Sequence, residues 1–387
     1  MKILHIFRAP VGGLFRHVID LASGQIARGH EVGIVADSLT GNARSDEILF
    51  ALAPKLSLGL TRVAMHRQPS PLDVLSLAHI TARARRAGAQ VVHGHGAKGG
   101  ALARLAPVRT VAVRAYTPHG GSLHSSVGGK LHLLLERCLM QRGNLYLFES
   151  AYAHEAFLGK VGQPRGIVRV VHNGVGVQEF APIADNADAT DLVFLGELRW
   201  LKGVDVLIDT LAGLHANGRK LTLTIVGDGP DAQAFRDQVS RLGLAGAVRF
   251  RAPMPARAAF AMGRIMVAPS RAESLPYVVL EAIAAGKSIV TTKVGGIPEI
   301  FGECTDRLVA PGDTAALAQA IVRLCDDLDA AVGLSRTLQA RVRSAFSIDL
   351  MVDQVLSAYE TVIDAAHLGG QRTSDALVAD RNAPRCA

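Results

Sequence analysis

The chain has 387 residues, 49% of them hydrophobic, and a net charge of +8. That length suits two domains with sizeable cores, and with no apolar run of 18 residues no transmembrane helix is expected. Four scattered cysteines (Cys138, Cys304, Cys325 and Cys386) show neither metal spacing nor a disulfide framework.

The charge is uneven: residues 1–180 carry 21 Lys and Arg against 10 Asp and Glu, and the remainder 21 against 24. A basic first half suits an anionic partner, whether a membrane surface, a phosphorylated lipid or a nucleic acid. Aromatic residues make up only 5% and none is interleaved among the basic ones, which argues against single-stranded nucleic acid. A basic surface that serves only solubility is the alternative.

From the N-terminus, Ile3–Phe7 reads as a strand, too short an apolar run for a signal peptide. Arg8-Ala-Pro-Val-Gly-Gly13 is a glycine turn, followed by a helix from Leu14 to about Arg28 and a strand from Val32 to Ala36. This is a βαβ unit, which places ligands at the carboxyl ends of its strands. Gly12-Gly13 alone demands no ligand, since tight turns need glycine for backbone reasons. Residues 38–72, broken by Pro54, Pro69 and Pro71, read as irregular. A helix over 72–87 carries Arg83, Arg85 and Arg86 in its last turns, where cations complement the dipole. Then come His93 and His95, explained by a strand end before a glycine turn; as metal ligands they lack a third partner nearby. Lys98 is placed to hold a phosphate. The strand Val111–Tyr116 leads to Thr117-Pro-His-Gly-Gly-Ser122, where His119 is expected to be exposed rather than packed; a structural role is the alternative. Residues 123–140 read as a buried helix, with a basic-apolar face against a bilayer as the other reading. Strands at 144–148 and 167–171 complete this half.

His172-Asn-Gly-Val175 marks a crossing, and the polar residues 181–190 a connector. The alternation restarts with strand 192–195, helix 203–216, strand 221–226, helix 231–242 and strand 248–250. In Gly196-Glu-Leu-Arg-Trp-Leu-Lys-Gly203, Lys202 stands beside a glycine before a helix N-terminus, a place suited to a diphosphate. Gly227-Asp-Gly-Pro230 reads as a structural turn. A buried strand at 265–268 ends at Pro269-Ser270, with Glu273 in the loop beyond it. Pro276 suits the first helical position, Glu281 lies a little over one turn inside, and Gly286 suits a left-handed terminator. Both carboxylates can face a ligand held over the helix's positive end, and a carboxylate accepts sugar hydroxyls well. Glu-x7-Glu alone would equally fit a solvated helix; the flanking Glu-Ala-x-Ala-x-Gly286 and Val294-Gly-Gly-Ile-Pro-Glu299 make coincidence a poor account. Helices at about 314–328 and 350–364 close the chain, Asp326–Asp329 reads as solvated surface, and residues from Gly369 as disordered.

These blocks resemble the retaining nucleotide-sugar glycosyltransferases of the GT-B fold, family 4 (group 1), of the bacterial exopolysaccharide and lipopolysaccharide type, over residues 1–365. The resemblance implies an α/β fold of two Rossmann-like domains facing across a cleft. An acceptor-binding domain is expected over 1–175, a nucleotide-sugar domain over 190–348, a helix at 349–366 crossing back to the first domain, and a disordered tail at 369–387. It implies that Glu273 holds the transferred sugar, Glu281 the nucleotide ribose, His119 the sugar near the reacting centre, and Lys202 the phosphate. It also implies that the amides of Gly12 and Gly13 approach the donor phosphate or the acceptor. The sequence departs from the family twice. Where the family commonly has Glu-Gly-Phe-Gly, this chain has Glu273-Ser-Leu-Pro276, so amides around Ser274, Leu275 and Tyr277 replace the one that Pro276 lacks. Where the family has Gly-Arg-Leu-x-x-x-Lys-Gly, Glu197 takes the Arg place, and Arg199 is expected to substitute for it.

The reaction so implied moves a hexose from a UDP- or GDP-linked donor to a lipid-linked or other glycan acceptor in cell-surface polysaccharide synthesis. No metal or other cofactor is expected, and no nucleic acid. The expected place is the cytoplasm, with peripheral contact at the inner membrane. A soluble small-molecule glycosyltransferase, a sugar-nucleotide epimerase and a non-catalytic nucleotide-binding scaffold are the competing readings.

Overall fold

The computed structural model describes residues 1–120 and 129–381. The chain divides into two units, one comprising Met1–Glu149, His154–Val171 and Met351–Ala387, the other Ser150–Ala153 and His172–Leu350.

The first unit is built on a parallel sheet of seven strands: β1 (Lys2–Phe7), β2 (Glu31–Asp37), β3 (Leu60–Val63), β4 (Val91–His95), β5 (Val113–Thr117), β6 (Leu145–Phe148) and β7 (Ile167–Val170), in the order β3-β2-β1-β4-β5-β6-β7. Because successive strand residues point to opposite faces, β1 divides its side chains between two layers. Leu4 and Ile6 join Ile80, Ala84, Leu102 and Ala103 of α3 (Asp73–Ala87) and α4 (Gly96–Leu105). Phe7 packs on the opposite face with Phe15, Val18 and Ala22 of α1 (Gly12–Ala27). The order reverses at β1, flanked by β2 and β4, so the carboxyl ends of β1 and β4 form the switch point where such sheets bind ligands.

Two expectations for this unit change. Residues 38–72 are not irregular throughout: α2 (Ala43–Leu52) and β3 lie there. Asn42 and Ser45 form a reciprocal capping box that starts α2, and Leu49 and Leu52 bury its inner face. Helix α1 begins at Gly12 instead of Leu14, so Gly12 and Gly13 form its exposed first turn and not the turn before it. Of the segment expected as a helix at 123–140, the part at 123–128 lies outside the described residues; α5 (Gly129–Leu139) is helical.

The second unit carries a five-stranded parallel sheet, β8 (Thr190–Leu195), β9 (Leu223–Val226), β10 (Val248–Arg251), β11 (Gly263–Ala268) and β12 (Ser288–Thr291), in the order β10-β9-β8-β11-β12. Leu192 and Phe194 of β8 face one hydrophobic layer with Leu207 and Leu211 of a helix at Val204–Ala216. Val193 faces the other, with Val279, Leu280 and Ile283 from the helix Tyr277–Ala284. Each such buried aliphatic side chain contributes about 1.5–3 kcal/mol relative to exposure. Here the order reverses at β8, between β9 and β11. A helix at Leu328–Ala345, unmarked in the sequence reading, is started by Asp327, whose carboxylate accepts from Ala330 N at 2.9 Å. Asp326, read as solvated, pairs with Arg219 at 2.6 Å.

The last helix, Ile348–Arg381, starts in the second unit and belongs to the first from Met351 onward. It runs past residue 366, so that 369–381, expected to be disordered, continue the helix; 382–387 lie outside the described residues.

Candidate functional site

In the second unit the switch point gathers the loops that leave β8 and β11. Lys202, from the first, donates to both carboxylate oxygens of Glu273, from the second, at 2.7 and 2.9 Å. Ser270 Oγ donates to Glu273 Oε1 at 2.7 Å, so the carboxylate is oriented by two residues. Two glycines at positive φ let other backbone approach these loops closely, Gly203 in the loop after β8 and Gly295 in the turn after β12. Gly203 has φ +70°, and a Cβ there would lie 2.0 Å from Pro269 O; Gly295 has φ +58°, and its Cβ would lie 1.9 Å from Glu273 O. Gly296 N donates to Ser274 O at 2.6 Å, tying the Gly-Gly turn to the residue after Glu273.

The helix that follows starts at Tyr277, with Pro276 as its extended N-cap, one residue later than its expected place as the first helical residue. Glu281 sits half-buried in the second turn of that helix. The Leu275 side chain is buried in the core and its carbonyl accepts from Asn173 Nδ2 at 2.9 Å, so only its amide remains to serve a ligand. Arg199 is exposed, with its guanidinium 3.5 Å from Glu197 Oε2.

In the first unit the register of three strands assembles histidines that lie far apart in sequence. His5 of β1 pairs with His93 of β4, and His95 of β4 with Thr117 of β5. These side chains share the face covered by α1 and the last helix. His5 Nδ1 lies 3.0 Å from His95 Nε2, and His95 Nδ1 lies 3.1 Å from His119 Nε2. His93 reaches Tyr359 OH at 2.7 Å and Thr117 Oγ1 at 2.9 Å. His119 has φ +55°, a left-handed conformation unusual for a side chain with a Cβ. It is half-buried against His95 and His17 rather than freely exposed.

Burial, and after it the mutual repulsion of the rings, holds His93 and His95 well below the ordinary histidine value; burial and His17 do the same for His119. Burial takes His5 down to about 4, against a smaller opposing effect of Gln25. The rings are therefore neutral near pH 7. The third imidazole that the sequence did not offer to His93 and His95 is present after all. His5, His93 and His95, and likewise His17, His95 and His119, have ring nitrogens within 4.8 Å of one another. Lys98 is committed elsewhere: its ammonium is 2.6 Å from Asp73 Oδ2.

The two halves match different family models, Glycosyltransferase Family 4 over residues 11–179 and Glycosyl transferases group 1 over residues 189–327. This chain is a glycosyltransferase of that family. The transferase is 26% identical over 380 residues to the glycogen synthase of Mycobacterium tuberculosis, covering 90% of this chain and 91% of that protein. It is 25% identical over 374 residues to the phosphatidylinositol N-acetylglucosaminyltransferase gpi3 subunit of Schizosaccharomyces pombe, covering 92% and 79%. Among solved structures, Anabaena Alr3699/HepE in complex with UDP-glucose superposes with a TM-score of 0.77 at 20% identity, covering 93% of this chain and all of that one. Sucrose-phosphate synthase from Thermosynechococcus elongatus gives 0.76 at 19%, covering 94% and 100%. These likenesses identify the fold as GT-B.

Two groups of residues in the transferase escaped the sequence reading. Arg271 donates to both oxygens of Asp205 at 2.6 and 2.7 Å and to Trp200 O at 2.7 Å, and its guanidinium lies 4.4 Å from the centre of the Trp200 ring. It therefore clamps the turn that carries Lys202. Glu299 accepts from the amides of Ala151 and Tyr152 at 2.9 and 3.1 Å and lies 2.9 Å from His172 Nε2. Burial pushes its carboxyl up, but the His172 and backbone hydrogen bonds outweigh this and leave it below the ordinary 4.5. The signal for Glu299 was present in the Gly-Gly-Ile-Pro-Glu motif; nothing local in sequence marked Arg271.

Proposed function

We propose that this transferase moves a hexose from a nucleoside-diphosphate sugar to a glycan acceptor, with retention of anomeric configuration and without a metal. The observation that carries the reading is the Lys202–Glu273 pair at the switch point of the second unit. Without donor, each charge satisfies the other. When a donor binds, the ammonium turns to the diphosphate, and the carboxylate is left to accept hydroxyls of the hexose. Arg199, two residues after the place of the family's arginine, adds positive charge on the same loop. Glu281 takes the ribose, and amides around Ser274, Leu275 and Tyr277, with those of Gly12 and Gly13, serve the donor's oxygens. His119 contacts the transferred sugar.

In the chemical step the bond from the anomeric carbon to the diphosphate oxygen breaks. A bond to the acceptor hydroxyl oxygen forms on the same face, and the hydroxyl proton passes to the leaving diphosphate. The fixed ammonium stabilises charge that grows on the leaving group, and because the leaving diphosphate itself takes the hydroxyl proton, no separate protein base is required. A UDP-hexose is the first donor to test, because HepE of the same fold was solved with UDP-glucose.

A lipid-linked acceptor in cell-surface polysaccharide synthesis, met at the cytoplasmic face of the inner membrane, is supported by two features. The first half of the chain carries an excess of 11 positive charges, and α5 exposes Leu134 and Leu135. Among the described residues no helix is long and apolar enough to cross a membrane. The test is release of nucleoside diphosphate from UDP- and GDP-hexoses with and without extracted lipids, with Glu273→Ala and Lys202→Ala as controls. Lipid-dependent release lost in both variants supports the reading. Release onto water-soluble acceptors with no lipid effect would replace the lipid acceptor by a soluble one.

A further inference from the structure

The histidines of the first unit form a chain with a direction. Gln25 of α1 presents its amide oxygen 2.8 Å from His5 Nε2. An amide oxygen only accepts, so the hydrogen on His5 is on Nε2 and its Nδ1 is a lone pair. His95 Nε2, 3.0 Å away, must then carry the hydrogen that fills this contact, which leaves His95 Nδ1 as an acceptor. The same step repeats at 3.1 Å: His119 Nε2 donates to His95 Nδ1. Each ring is neutral and owns one hydrogen, so a single amide at the buried end sets the tautomer of every ring out to His119. His93 stands outside this chain. Both its nitrogens are engaged by Tyr359 and Thr117, and it lies beside His95 at a tilt of 35°, with ring centres 3.9 Å apart.

We propose that Gln25, His5 and His95 are positioning residues that hold His119 as the Nε2–H tautomer, so that His119 offers its Nδ1 lone pair to the ligand. Gln25, His5 and His95 are buried, whereas His119 is half-buried at the outer end. Among the described residues, Nδ1 of His119 is the ring nitrogen of the chain left without a hydrogen-bond partner; at the buried end the amide nitrogen of Gln25 is also unpartnered. A neutral ring presenting a lone pair accepts a hydrogen bond from a hydroxyl and repels a phosphate or carboxylate oxygen. The group that His119 selects is therefore a neutral hydroxyl. The tautomer follows from the hydrogen-bond chain alone; that the hydroxyl belongs to the transferred sugar rests on the proposed function.

The experiment is long-range 1H–15N NMR of the full chain labelled at histidine, with the His119 ring assigned by loss of its signals in His119→Gln. In the wild-type protein at pH 7.5, His119 Nε2 is expected to resonate as a protonated nitrogen and Nδ1 as an unprotonated one. In Gln25→Leu, and independently in His5→Phe, the two shifts are expected to move toward each other as both tautomers become populated. Circular dichroism and thermal midpoints identify whichever variant remains folded. A wild-type His119 with its hydrogen on Nδ1, or charged at this pH, overturns the inference, as do unchanged shifts in a folded variant. The kinetic arm separates the two readings. If the NMR result is as expected but His119→Gln transfers hexose at the wild-type rate, the hydrogen-bond chain stands and the sugar role of His119 falls.

Discussion

Lys202 and Glu273 lie 71 residues apart in sequence, yet the ammonium meets both oxygens of the carboxylate within 2.9 Å. Their meeting follows from topology: the strands before them, β8 and β11, are neighbours at the point where strand order reverses. A pair set this way is worth about 1 kcal/mol to stability at most, since both groups retain access to water. In the proposed function its weight is in the transition state. Lys202→Ala is expected to lower turnover by about 10²–10³-fold, as removal of a preorganised charge-stabilising group does, with the thermal midpoint nearly unchanged. Steady-state release of nucleoside diphosphate, run beside a melting curve, checks this; full activity in a folded Lys202→Ala enzyme would remove Lys202 from the mechanism.

Arg271 acts one step behind that pair. Its bidentate bond to Asp205 and its stack on Trp200 fix the turn from which Lys202 projects. Arg271→Lys keeps the charge but loses the fork and the planar stack. The expected result is a donor KM raised several-fold and a stability loss of about 1–3 kcal/mol, the worth of hydrogen bonds to a charged group. Urea unfolding and a donor titration measure the two effects, and a KM equal to wild type would leave Arg271 as a purely structural residue.

The donor loops were legible because each is local: an apolar run, a proline or glycine stop, and a charged residue just beyond. That Lys202 and Glu273 would touch was not local, and neither was the histidine chain, whose rings come from β1, β4 and the loop after β5. The available sign was repetition, since His5, His93, His95 and His119 all sit near strand ends of one βα series. The helix Leu328–Ala345 was hidden for a different reason. It buries only Ala331, Leu338 and Val342, with Arg336, Arg341 and Arg343 among them, so its apolar stripe is too thin to register. The same holds for α2, where prolines nearby masked a well-capped helix. Arg199 lies exposed in the loop after β8, while the arginine that pins that loop, Arg271, comes from the loop after β11, a contact that no local motif marks.

The Glu299 carboxyl gives a pH dependence of defined sign. Its folded value is below the ordinary 4.5, through His172 and the Ala151 and Tyr152 amides acting against burial. A depressed carboxylate contributes stability that is fully present above the unfolded value and is lost as pH falls through the folded one. Wild type is therefore expected to exceed Glu299→Gln in unfolding free energy at pH 6, and the gap to narrow as pH falls from the ordinary 4.5 through the lower folded value. Denaturant unfolding from pH 3.5 to 7 tests this, and a gap that persisted or widened toward acid would contradict the assigned role.

Chelation should leave catalysis alone. In the proposed function the ammonium of Lys202 supplies, from a fixed turn, the positive charge that offsets the leaving diphosphate. Hexose transfer assayed after EDTA treatment and gel filtration is expected to match the untreated enzyme. Activity abolished by EDTA and restored by a divalent ion would show that Lys202 does not suffice.

Gly295 offers the sharpest separation of backbone from side-chain effects. Its φ of +58° alone makes alanine costly by about 1–2 kcal/mol, and Gly12, at φ +66° with open space around it, shares that cost. Gly295 differs in what a methyl group would meet, namely the Glu273 carbonyl at 1.9 Å. Two backbone segments cannot part without moving Glu273 relative to Lys202 and Ser270. Gly295→Ala is therefore expected to lose hexose transfer by at least 10²-fold, in keeping with the cost of displacing a catalytic group by about 1 Å, while Gly12→Ala keeps its second-unit site intact. A nucleotide-sugar binding assay on both variants, with melting curves as the fold control, makes the comparison. If Gly295→Ala melted no lower than Gly12→Ala and bound donor as tightly as wild type, the contact between the Gly-Gly turn and Glu273 would not be what shapes the donor pocket.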